Sequence, residues 1–115
     1  MDSNTTFKKL KTILTQFEFH LSVLFDKADN YYLNTTTSES NKKPEFFGAV
    51  QIKKSYVAFH LMPIYYYPEL LDSISQELKN RMQGKSCFNF KEIDYILFSE
   101  LNSLTKIAFE KYKAL

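Results

Sequence analysis

The sequence predicts an α+β domain in which helices cover one face of a mainly antiparallel sheet. Three observations predict it. Apolar residues recur at helical spacing near both ends of the chain, and strand-like alternation fills much of residues 45–90 between them. The composition is that of a globular protein, 44% hydrophobic and 24% charged, and aromatics reach 17% through 11 Phe and 8 Tyr without Trp. Aromatic cores of this kind suit a sheet sheltered by helices. At 115 residues the chain reads as one domain, residues 1–115, large enough for a core without disulfides or metal.

The first element is an amphipathic helix. Phe7, Leu10, Leu14, Phe17, Leu21, Leu24 and Ala28 alternate spacings of three and four, with Ile13 and Phe25 widening the stripe. Asn4, Thr5 or Thr6 can cap it, and the helix is expected over residues 5–27. Residues 31–37 combine aromatic and β-branched side chains, which predicts a short strand; residues 38–44 (SESNKKP) read as an exposed loop.

A pair of strands follows. In the first, residues 45–53, alternation places Phe46, Gly48, Val50 and Ile52 on one face and Phe47, Ala49, Gln51 and Lys53 on the other. Lys53, Lys54 and Ser55 form the turn. In the second strand, residues 56–62, Val57, Phe59 and Leu61 oppose Tyr56, Ala58, His60 and Met62. Pro63 ends that strand because it has no N–H for a ladder.

Pro68 opens a helix with the stripe Leu70, Leu71, Ile74, Leu78 and Met82, which Ser75 can re-cap midway into two shorter helices. Gly84 is expected at the C′ position of that helix. Residues 86–90 form a short strand with Phe88 and Phe90 on one side and Cys87 and Asn89 on the other. Asp94 caps a last helix whose stripe runs Leu97, Leu101, Leu104, Ala108 and Tyr112, with Ile93 as its hydrophobic staple. The order is α-β-β-β-α-β-α, a two-layer sandwich.

The same residues narrow the function classes. A net charge of +2 is too small to predict a nucleic-acid binder. One cysteine excludes an internal disulfide and fits a reducing compartment. The polar start MDSNTTFKKLK lacks the apolar run of a secretory leader, and no stretch nears the roughly 18 apolar residues of a membrane span. A cytoplasmic protein without a membrane partner is expected.

The chemistry-bearing residues are few. Two histidines (His20, His60) and Cys87 fall short of the ligands zinc requires, so neither a metal nor another cofactor is expected. The run Gly84, Lys85, Ser86 ends like a phosphate loop, yet it lacks that loop's upstream glycine. It also follows a helix and precedes a strand, the reverse of that loop's order. Cys87 and His60 on neighbouring strands would be the ingredients of a cysteine nucleophile and its base; the plainer reading is a small buried thiol beside a satisfied histidine. Of three adjacent tyrosines, Tyr65, Tyr66 and Tyr67, at least one must face solvent. With Lys53, Lys54, Arg81, Lys85 and Lys91 they would make an aromatic and basic surface for RNA or another anion.

The stretch KKSYVAFHLMPIY (residues 53–65) with PELLDSISQELKNRMQGKSCFNF (residues 68–90) resembles the YdhG-like family, domain of unknown function 1801. Lys54, Tyr56, Val57, Phe59, His60, Leu61, Pro63, Tyr65, Pro68, Leu70 and Leu71 carry the likeness. Ser75, Leu78, Met82, Gly84, Lys85, Cys87 and Phe90 continue it. The resemblance implies a compact domain of roughly 110 to 130 residues with helices at both ends of the sheet. One branch of that family resembles frataxin in shape and is associated with iron delivery. Here the acidic ridge such a role requires is missing from the pattern, since the carboxylates are scattered among lysines.

The expected function is therefore a binding or interaction domain. A small molecule, a protein partner or a second copy of the chain would sit on the less apolar sheet face, at Tyr56, His60, Cys87 and Asn89, flanked by Tyr65 and Lys85. The alternatives are a cysteine-dependent enzyme using Cys87 and His60, or a weak nucleic-acid or anion binder.

Overall fold

The computed structural model describes residues 2–36 and 45–113. Helix α1 spans Ser3–Thr15, and Asp2 caps it: its carboxylate accepts from the Thr5 amide at 3.2 Å and the Thr5 hydroxyl at 2.6 Å. Those bonds hold the Asp2 carboxyl below its ordinary range. The buried stripe is Thr6, Phe7, Leu10, Ile13 and Leu14.

The helix does not continue to residue 27 as its spacing predicts. A 3-10 turn at Glu18–His20 redirects the chain into strand β1, Leu21–Lys27, which pairs with β2, Asn30–Thr35, around a two-residue turn at Ala28 and Asp29. The physical reason is that this segment satisfies two periods at once. Leu21, Leu24 and Ala28 fit a helix, while Leu21, Val23 and Phe25 fit a strand rich in β-branched and aromatic residues. Pairing with β2 decides between them. The expected strand at residues 31–37 is β2, and the expected loop 38–44 lies outside the described residues.

Strands β3 (Phe46–Ile52), β4 (Val57–Leu61) and β5 (Cys87–Phe90) complete a five-stranded sheet in the order β1-β2-β3-β4-β5, antiparallel throughout. The Lys53 amide donates to the Tyr56 carbonyl at 2.8 Å across the β3–β4 turn. Two irregularities reset the faces. Leu24 has no partner on β2, and neither has Phe47, because Leu33 pairs with Gly48 while Asn34 pairs with Phe46. The bulge at Phe47 turns both Phe47 and Gly48 toward the helices and sends Phe46 to the other side. Simple alternation, which groups Phe46 with Val50, is corrected here.

Between β4 and β5 the chain makes three short helical pieces where one or two helices were expected. These are α2 (Pro63–Tyr66), a 3-10 segment (Pro68–Ser73) and α3 (Gln76–Lys79). Ser75 re-caps as its position predicts, its hydroxyl accepting from the Leu78 amide at 3.2 Å. That hydroxyl also donates to the Glu100 carboxylate at 2.8 Å, and the Ser75 amide donates to the same group. Gly84 is not a helix terminus: α3 ends at Lys79 with Asn80 as its cap, and Gly84 takes φ +81° in the loop entering β5.

Helix α4 (Tyr95–Lys113) starts at Asp94, whose carboxylate accepts from the Leu97 amide at 3.0 Å. Helices α1 and α4 pack together and share one sheet face. Phe17 stacks on Phe109 at 4.9 Å, Phe47 meets Phe109 edge-on at 6.0 Å, and Phe90 meets Phe98 edge-on at 4.9 Å. Tyr31, Leu33, Val50, Val57, Phe59, Leu61 and Phe88 are wholly buried beneath this layer. No helix among the described residues is long and apolar enough to cross a membrane.

Candidate functional site on the open sheet face

The strand register sets out the face turned away from α1 and α4. One rung runs Phe25, Tyr32, Ala49, His60, Cys87 across all five strands. The next runs Lys27, Asn30, Gln51, Ala58, Asn89. The first is aromatic and soft; the second is mostly amide. Both are interrupted by an alanine, and Ala49 and Ala58 are buried among their larger neighbours.

The aromatic side chains touch in sequence. Phe25 meets Tyr32 edge-on at 5.8 Å, Tyr32 stacks on Phe46 at 4.6 Å, and Phe46 meets His60 edge-on at 6.4 Å. The amides are bonded but not saturated. Gln51 donates to Asn30 at 3.2 Å, and Asn89 donates to Gln83 at 2.6 Å. The Cys87 thiol donates to Asn89 Oδ1 at 3.4 Å. Each side-chain amide bears two donor hydrogens and an oxygen with two lone pairs, so capacity is left over.

Electrostatics keep this face neutral at its centre. Burial pushes the His60 imidazole below its ordinary pKa, and the nearby Lys53 cation adds to the shift. Burial pushes the Cys87 thiol up, with Lys53 opposing in part. His60 is therefore neutral and Cys87 protonated near pH 7. None of the residues on the two rungs is a carboxylate.

The sequence-predicted residues divide into three groups. His60, Cys87 and Asn89 lie together on the open face. Tyr65 and Lys85 lie beyond the Cys87 end of the sheet and touch each other, with the Lys85 ammonium 5.8 Å from the Tyr65 ring centre. Tyr56 sits at the opposite end of β4, in the turn, half-buried and away from Lys85. Tyr65 and Tyr66 are exposed, whereas Tyr67 packs partly against the core.

Sequence reasoning missed Phe25, Tyr32 and Phe46. Phe25 falls within the expected helical stripe, and simple alternation groups Phe46 with Val50, which the structure buries. Tyr32 had a signal, since it alternates with Tyr31 and Leu33, which are both buried. Elsewhere a cleft of about 420 Å³ opens between α1 and the β1–β2 turn and is lined by Phe7, Lys8, Lys11, Asp26 and Lys27. Lys11 and Asp26 close into an ion pair at 2.6 Å there. Among the described residues no three His, Cys, Asp or Glu side chains gather as a metal site. No protein-family model, curated protein or solved structure matches the chain.

Proposed function

We propose that the chain is a small cytoplasmic binding domain rather than an enzyme, holding a small ligand or a partner on the open sheet face near His60 and the loop of residues 65–67. Membership of the YdhG-like family belongs to the same proposal and rests on the residues of 53–90 that carry the likeness. The observation behind the reading is the rung Phe25, Tyr32, Ala49, His60, Cys87, which no described helix covers. A row of aromatic side chains beside amides with spare hydrogen-bonding capacity supplies the ingredients of a site that orients a ligand without transforming it.

The cysteine-enzyme alternative is weaker on chemical grounds. A nucleophile requires a thiolate activated by a base. Cys87 instead has its thiol raised in pKa and donated to Asn89, beside a histidine that burial keeps neutral. The anion-binding alternative rests on the Lys85–Tyr65 contact at the end of the sheet.

The test is a thermal-shift screen against metabolites and anions, followed by NMR mapping of each stabilising compound. A ligand at one hundred times its dissociation constant adds about 2.7 kcal/mol of stability. The reading expects the perturbed signals to include Tyr32, His60, Cys87 and Asn89. Ligands that perturb only the Phe7–Asp26 cleft, or none that stabilise at all, would remove it.

A further inference from the structure

The two edges of the sheet are treated differently. Beyond β5 the chain returns alongside: Met82 bridges Phe88, the Gln83 amide donates to the Cys87 carbonyl at 3.0 Å, and the Asn89 amide donates to the Arg81 carbonyl at 2.8 Å. That edge is closed. Beyond β1, no described strand follows.

Edge strands of monomeric proteins are guarded by shortness, proline, charge or cover, because an open ladder recruits another strand. β1 has seven residues and no proline, and its charges, Asp26 and Lys27, stand only at the turn end. Asp26 is moreover drawn to Lys11. Of the rest, Ser22 is uncharged and exposed, Leu21 is half-buried, and three apolar side chains are exposed: Val23 is 42%, Leu24 52% and Phe25 38% accessible, with Phe19 just before the strand 97% accessible. Val23 pairs with the helix-face residue Leu33 and Phe25 with the open-face residue Tyr32, so β1 exposes an apolar side chain on each face, with the uncharged Ser22 on the open one. Strands buried on both faces in the interior of a sheet carry that pattern.

We propose that β1 is the seam of a homodimer, pairing antiparallel with β1 of a second copy so that two five-stranded sheets join into one of ten strands. A second copy fits because a patch without central charge is its own complement. The same apolar surface supplies both halves of a two-fold interface, and the pairing closes after two chains. The bulge at Leu24 is the one guard on this edge, and it confines the ladder to the charge-free side, residues 21–23. A two-fold axis at Ser22 sets Leu21 opposite Val23 of the second copy, with Phe19 and Leu24 at the rim. Three residues either side of that axis, Phe25 of each copy comes toward Phe19 of the other. The dimer stands independently of any ligand on the open face.

Sedimentation and light scattering of the full chain at about 100 µM, well above a micromolar dissociation constant, test the seam. The expected mass is twice 13.6 kDa. Val23→Lys and, separately, Phe19→Ser are each expected to raise the dissociation constant at least about tenfold, equivalent to 1.4 kcal/mol, with unchanged circular dichroism. Phe19→Ser serves if Val23→Lys fails to fold, since the Phe19 side chain is almost wholly in solvent. Amide exchange across residues 21–23 is expected to quicken on dilution. A single-chain mass at that concentration overturns the proposal. So does a double mass that survives both substitutions while those amides exchange freely, which would place the interface elsewhere.

Discussion

The two faces of the sheet are made by the same strands and differ in what they ask of their residues. Toward α1 and α4, Phe59, Leu61 and Phe88 are wholly buried in an apolar layer. On the other side their immediate neighbours His60, Cys87 and Asn89 are half-buried and polar or titratable, with Cys87 bonded to Asn89 and Asn89 to Gln83. One face stabilises the fold through burial and packing. The other is held by weaker contacts and keeps hydrogen-bonding capacity free, which is the condition for binding something else.

The largest effect that sharpens this contrast is on the covered face. Phe59→Ala is expected to lose about 3–5 kcal/mol in urea denaturation, from lost transfer energy plus a cavity. His60→Ala next door is expected to change stability by no more than about 1 kcal/mol. Equal losses would erase the distinction.

A steric test follows. A Cβ at Gly48 would lie 2.9 Å from the His60 carbonyl oxygen and 3.3 Å from Leu14 Cδ2, so Gly48→Ala must move backbone and is expected to destabilise by about 1–3 kcal/mol. Ala49→Gly, on the open side of the same strand, is expected to cost only about 0.5–1 kcal/mol through added chain entropy. Phe46→Ala is intermediate, about 1–2 kcal/mol, because it removes the stack on Tyr32 but opens toward solvent.

The two smallest effects concern titration. His60 has its pKa lowered by burial, so below its ordinary value of 6.5 the unfolded chain takes up the proton more readily than the folded one. Stability due to this group is complete above pH 6.5 and declines as pH falls from there through the folded-state value. A His60→Gln variant is expected to show a shallower acid-side decline in melting temperature. Cys87 is expected to alkylate slowly at pH 7, its rate rising only above the ordinary thiol range near 8.5. A fast reaction at neutral pH would revive the nucleophile reading.

These contrasts also show how far the sequence reaches. The alternation of Val57, Phe59 and Leu61 against Ala58 and His60 is local and uninterrupted, so β4 and its faces are legible from residue types alone. Asp94, Ser75 and the stripe of α4 are legible for the same reason: a cap and a period are properties of a few adjacent residues. The second half of the expected first helix is not, because residues 21–27 obey both periods and only the long-range pairing with β2 chooses. The bulges at Leu24 and Phe47 are equally non-local. Each follows from how two strands align, and each moves an aromatic, Phe25 or Phe46, onto the open face. The candidate site was thus half visible. His60, Cys87 and Asn89 follow from alternation, whereas the aromatic wall beside them depends on register.

The most direct measurement is solvent paramagnetic relaxation, with a soluble gadolinium chelate, of side-chain NMR signals on strands β2, β4 and β5. The account predicts broadening at Tyr32, His60 and Asn89 while Leu33, Phe59 and Phe88, one residue away on the same strands, stay sharp. Equal protection of both sets would mean that the second face is covered, and would contradict a binding surface there.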